Sequence, residues 1–176
     1  MTVIFITGVY ISLFKGNIFL FLIAIFTYYA ACIAYRALRL KQLNISQKPK
    51  FIDWALDIIA GITFIGMIVF AIYYYFNSAT SNFIIPLVFG IMGVLGVYRN
   101  INRLIQKPKA TMLWLKVHIG NMCGSYIGAI TAFVVNQSEH IPLPQVVLWL
   151  GPTIIIVPII VSETRKVKSE VIVEAN

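Results

Sequence analysis

Charge is what this sequence has least of. Only 11% of its 176 residues are Asp, Glu, Lys or Arg, against a hydrophobic share of 60%. Soluble domains carry about 25% charged residues. A chain with less than half that fraction cannot cover its own surface with polar groups, and a mean hydropathy of +0.88 makes lipid its natural solvent. Histidine and cysteine are equally sparse, at two residues each. Cys32 and Cys123 both lie inside apolar runs and lack metal-ligand spacing, so they read as small buried hydrophobes rather than a disulfide or ligand pair. No second His, Cys or carboxylate stands at the spacing a zinc site needs. The two histidines, His118 and His140, are 22 residues apart. On one helix that is about 33 Å, opposite faces of a bilayer, so they cannot ligate one haem. His118 and Met122 share a helical face and cannot bracket a porphyrin either. The sequence therefore points to no metal and no cofactor. No Lys or Arg precedes the first apolar stretch, which leaves no n-region for a secretory signal.

Long apolar runs are abundant. Six are evident, at 2–14, 18–35, 54–76, 83–98, 117–135 and 146–161. The first has 13 residues; at about 1.5 Å per residue it spans roughly 20 Å of a core about 30 Å thick. Lys15-Gly16-Asn17 reads as a tight turn between the first two runs. The expected fold is all-α: a polytopic transmembrane helical bundle of five full spans plus a short N-terminal half-span. Residues 1–162 would form the membrane domain and 163–176 a polar cytoplasmic tail. The half-span has two readings, a half-helix packed on its neighbours or the second half of a span that begins upstream of Met1.

The net charge of +8 could signal nucleic acid. Binding it needs a folded, exposed basic face, and the charges here fall in short clusters between apolar runs instead, so no nucleic-acid partner is expected. Segments 36–50 and 99–116 carry five basic residues each, and Arg165, Lys166 and Lys168 follow in the tail. Segment 77–82 has no charge, and segment 136–144 has only Glu139 and His140. Thirteen of fourteen basic residues thus share one side, Lys15 being the exception. The positive-inside rule makes that side cytoplasmic, in a bacterial-type inner membrane with the bilayer as principal partner. Tyr73–Phe76, Trp54 and Trp114 fit aromatic belts at the interfaces.

The two inside segments echo each other. Tyr35-Arg36 leads through Arg39-Leu40 and Gln42 to Lys48-Pro49-Lys50 and Trp54; Tyr98-Arg99 leads through Arg103-Leu104 and Gln106 to Lys107-Pro108-Lys109 and Trp114. This is either a duplicated helical hairpin or the resemblance any two inside loops share.

Within the fifth run, Gly120, Gly124, Gly128 and Ala132 recur every four residues. Such a ridge lets another helix approach closely. Gly93 and Gly96 are the expected counter-surface for intramolecular packing; homo-oligomerisation or a membrane-protein partner is the alternative. Beside the ridge, His118, Asn121, Met122, Ser125, Ala129 and Asn136 share one face. Polar groups in a span normally face the bundle interior or a wet cavity, and Lys116 stands at the head of this stripe. The plainer reading keeps His118 at the interface and has Ser125 bond back to its own helix. Asp53 and Asp57 are the only carboxylates near a span. Asp53 suits a helix start. Asp57 lies deeper and requires a partner; Arg99, Arg103, Lys116 and His118 are the candidates, as a structural ion pair or as a proton-handling Asp57–His118 pair. Pro152 and Pro158 in the last run mark a kink, a hinge or simple packing. Asn136-Gln137-Ser138 matches a glycosylation acceptor, relevant only in a eukaryotic secretory membrane.

The run from His118 to Asn136 resembles a signature of bacterial multi-pass integral membrane proteins of unknown function. Trp149-Leu150-Gly151-Pro152-Thr153, Pro158-Ile159-Ile160, and Lys15-Gly16-Asn17-Ile18-Phe19-Leu20-Phe21 followed by Tyr35-Arg36 fit the same pattern. The resemblance covers nearly the whole chain. It implies an N-terminally shortened member, since the family looks longer there, with a further span and a histidine-containing loop. It implies no activity, and Asn121 stands where a basic residue is expected. Three functions follow as expectations. The first is a non-catalytic helical bundle acting as an interaction or helper module. The second is a small transporter or channel with a polar path along His118–Asn136. The third is a membrane redox or lipid-modifying enzyme using Asp57 and His118.

Overall fold

The computed structural model describes residues 1–16, 18–43, 45–77, 83–107, 112–137, 140 and 142–173, apart from the side chains at 15, 18, 19, 145, 146, 150 and 163–173. Every regular element among them is helical: α1 (Thr2–Lys15), α2 (Ile18–Arg39), α3 (Phe51–Asn77), α4 (Ile84–Gln106), α5 (Leu113–Asn136) and α6 (Gln145–Val173). Four of these, α2 to α5, are long and apolar enough to cross a membrane. The shorter apolar stretches are Thr2–Phe14 in α1 and Val147–Ser162 in α6.

The expected turn after α1 is present. Gly16 sits at φ 64° in the left-handed region, the conformation that ends a helix and that only glycine adopts without cost. The helices run past the apolar runs at the basic end. Arg36 and Arg39 lie in the last turns of α2, and Arg99 and Arg103 lie inside α4. Cationic side chains are favourable at a helix C-terminus, and their long stems cover apolar surface while the head stays polar. The loop expected from residue 99 is therefore helix up to Gln106. Likewise the backbone of the expected tail continues α6 as far as Val173.

Polarity is arranged as a membrane requires. Ile58, Ile62, Ile65, Val69 and Ile72 line an outward face of α3, each at least half exposed, while Asp53, Asp57, Asn100, Arg103 and Ser125 are buried. Contiguous exposed apolar surface on this scale suits lipid and not water.

α2 is the hub, contacting α1, α3, α4 and α5, while α3 packs mainly on α4 and α6 on α5. The echoing segments join α2 to α3 and α4 to α5, yet the closely packed pairs are α3 with α4 and α2 with α5. Their contacts differ as well: Arg36 pairs with Asp53 while its counterpart Arg99 is exposed, and Arg39 is exposed while its counterpart Arg103 is buried. Residues 108–111, including part of the second echo, lie outside the described residues, as do 78–82 and Ser138 of the glycosylation triplet.

Small residues set the close approaches. A Cβ on Gly93 would fall 2.3 Å from the Phe64 ring, and one on Gly90 would meet Ile68 at 2.7 Å. These contacts close α4 onto α3. A Cβ on Gly128 would lie 2.1 Å from Thr27 Cγ2, on α2. The expected pairing of the α5 ridge with Gly93 and Gly96 is thus replaced. The counter-surface is α2, and Gly93 faces α3. Among the described residues, Gly120 and Gly124 have nothing within 4 Å of a built Cβ, and Gly128 alone of the ridge glycines is a close-packing position.

Candidate functional site

The site is a buried polar cluster where α2, α3 and α4 meet near the basic end. Helix geometry brings it together. Asp57 lies six residues after Phe51, the start of α3, and Asn100 lies six before Gln106, the end of α4. In an antiparallel hairpin these positions stand at equal depth, about 9 Å from the helix ends. Asn100 Nδ2 donates to Asp57 Oδ1 at 2.9 Å and Oδ2 at 2.8 Å. Tyr29, on α2, donates its hydroxyl to Asp57 Oδ1 at 2.9 Å. The Tyr29 ring is held by an edge contact with Phe64, at 5.5 Å between centroids. Asp57 is 0% exposed, so its carboxylate is engaged from two helices in surroundings where an unpaired one would be very costly.

Arg103, one helical turn beyond Asn100, is 9% exposed and interacts electrostatically with Asp57, Asp53 and Tyr29. It makes no direct ion pair: among the described residues the one pair within 4.0 Å is Arg36–Asp53. Arg36 donates Nε to Asp53 Oδ1, and Nη2 to Oδ2 at 2.8 Å. Asp53 Oδ2 also accepts from the Lys50 backbone N–H at 2.8 Å. That is the return half of a capping box, an acidic residue at the third helical position reaching back to the cap. Asp53 is therefore a helix-start residue as expected, and it also ties α3 to α2.

The α5 stripe satisfies itself mostly on backbone. His118 Nδ1 lies 3.0 Å from the Ala34 carbonyl of α2, so Nδ1 carries the donating hydrogen. Asn121 Nδ2 donates to the Val117 carbonyl and Ser125 Oγ to the Met122 carbonyl, both on α5. Ser125 is 0% exposed, Lys116 is half-buried and Asn136 is exposed at the helix end. The expected polar cluster is thus divided. Asp57 belongs with Tyr29 and Asn100, while His118 belongs with α2's backbone; no hydrogen bond or ion pair joins Asp57 to His118 among the described residues. Of the partners anticipated for Asp57, only Arg103 is in its neighbourhood.

Tyr29 and Asn100 are the residues sequence reasoning missed. Equal depth on consecutive antiparallel spans was an available signal for Asn100. Tyr29 offered none, being one of nine tyrosines. Among the described residues no three His, Cys, Asp or Glu side chains come together as metal ligands would. Chemically, the cluster can join three helices and hold a carboxylate away from lipid. No family model matches the chain, and no curated protein or solved structure does.

Proposed function

We propose that the protein is a non-catalytic helical module of a bacterial-type cell membrane, built from five spans plus the short α1, with its basic loops and C-terminus cytoplasmic. The observation that carries this reading is the burial of Asp57 at 0% exposure with both carboxylate oxygens hydrogen-bonded, by Tyr29 and Asn100. An acid serving proton transfer or substrate binding needs an open side, and this one has none. The α5 stripe supports the same conclusion, since Asn121 and Ser125 bond within their own helix. Sidedness is inferred from charge counting, and the packing is consistent with the basic ends sharing one side. Lys41 stacks over Trp114 at 4.5 Å, and Leu40, Leu43 and Leu104 pack together with Trp54. These contacts gather the ends of α2, α3, α4 and α5 that carry Arg36, Arg39, Lys41, Lys48, Lys50, Arg99, Arg103, Lys107 and Lys116 on one side of the bundle. The resemblance suspected from the His118–Asn136 run, to multi-pass membrane proteins of unknown function, would fit this reading and adds no activity to it.

Proteoliposomes provide the test. Proton and small-ion flux through vesicles containing the protein should equal that of protein-free vesicles. His118→Ala should change the melting temperature alone. A saturable flux that His118→Ala abolishes at unchanged melting temperature would establish the transporter reading in its place.

A further inference from the structure

The polar cluster leaves two of its atoms unanswered. Asn100 Nδ2 donates to both oxygens of Asp57, and its Oδ1 is buried without a donor among the described residues. Arg103 Nε is buried without an acceptor among the described residues. Both residues are at least nine-tenths buried, at 7% and 9% exposure. Unmet polar atoms in a membrane interior are among the most unfavourable groups a fold can carry. Native structures answer such atoms with an ordered water when two to four polar partners converge.

Their place in the chain favours that answer, since Asn100 and Arg103 lie three residues apart on α4. Residues three apart on a helix are neighbours on one face, with Cβ atoms about 5–6 Å apart. A water that accepts one hydrogen bond and donates another, each of roughly 2.8 Å, can join two side chains on such a face. The orphans are also complementary, one an acceptor and the other a cationic donor. An anion suits Arg103 Nε but is repelled by Asn100 Oδ1 and by the Asp57 carboxylate. A metal cation suits Asn100 Oδ1 but is repelled by the guanidinium. A neutral species that donates at one end and accepts at the other satisfies both.

We propose that a single buried water molecule binds between Asn100 Oδ1 and Arg103 Nε. It completes a relay from Asp57 through Asn100 and the water to Arg103, and so balances the buried carboxylate against a buried cation without a direct ion pair. The proposal uses the same cluster as the functional reading above but does not depend on the absence of activity.

A structure of the full chain in lipid nanodiscs, at a resolution that shows ordered water, tests it. The expected result is one peak within hydrogen-bonding distance of both atoms, unchanged when chloride is replaced by bromide. An empty gap, direct contact between Arg103 Nε and Asn100 Oδ1, or a peak that takes on bromide scattering would each overturn it. Solid-state NMR of wild-type protein labelled with 15N-arginine gives a second readout, with the signal assigned by its loss in Arg103→Lys. A cross-peak from slowly exchanging water to the Arg103 Nε hydrogen is expected, and its absence counts against the site. Neither measurement requires flux or turnover, so this proposal and the functional one fail separately.

Discussion

At the scale of single residues, glycines in one row of α5 have opposite duties. Thr27, which faces Gly128, is β-branched and pinned: its Oγ1 donates to the carbonyls of Ile23 at 2.9 Å and Ala24 at 3.0 Å. It cannot swing aside for a new methyl without losing those bonds. Gly128→Ala should therefore cost about 1–3 kcal/mol, the usual range for overpacking. Gly124→Ala meets nothing within 4 Å and replaces a poor helix former by the best one, so it should be neutral or stabilising by up to about 1 kcal/mol. Thermal unfolding of both variants in detergent checks this, and equal losses would show that the row acts as one packing surface. The four-residue spacing was legible in the sequence. Which member touches a neighbour was not, because that depends on the rotation of α5 against α2, and a low-contrast apolar helix does not encode its rotation. Asp57 was legible in another sense. Its need for partners followed from its depth alone, while the identity of those partners required knowing which helices meet.

Helix ends show the reach of sequence patterns at the next scale. An apolar run stops at the first charge, whereas a helix stops where its backbone is capped. Hence α4 continues eight residues beyond the run that ends at Tyr98, to Gln106, with Arg99 exposed and Arg103 turned inward. The start of α3 depends on Asp53, which serves the Lys50 N–H and Arg36 together. These two roles can be separated. Asp53→Ala should accelerate amide exchange at Lys50, since the N–H loses its acceptor; capping losses of this kind amount to roughly 0.5–2 kcal/mol. Arg36→Met should leave that amide protected, because the carboxylate still accepts from it. Unchanged exchange at Lys50 in Asp53→Ala would remove the capping role. The echo between the two inside segments illustrates a different limit. Matching residue order did not translate into matching contacts, because pairing is set by which apolar faces bury each other. That choice placed α3 on α4 and α2 on α5.

For the whole molecule, the membrane character was legible before any coordinates. A 60% hydrophobic chain with clustered basic residues has few other ways to be stable. Orientation yields a direct prediction. Cys32 and Cys123 are only partly exposed within α2 and α5, so reporter cysteines belong at Ser46 and His140, both exposed. A membrane-impermeant thiol reagent should label Ser46→Cys only from the cytoplasmic side and His140→Cys only from the opposite side; the reverse pattern would invert the topology. What composition could not reveal is how the bundle handles its interior polarity. Tyr29, Asp57 and Asn100 come from three helices, separated by 28 and 43 residues in the chain. Together they clamp α2, α3 and α4 to one another. A double-mutant cycle of Tyr29→Phe and Asp57→Ala, measured by reversible unfolding in mixed micelles, tests this most directly. The clamp predicts a coupling energy of roughly 0.6–1.7 kcal/mol, from the average to the largest value found for hydrogen bonds between membrane helices. Strictly additive effects of the two substitutions would contradict it.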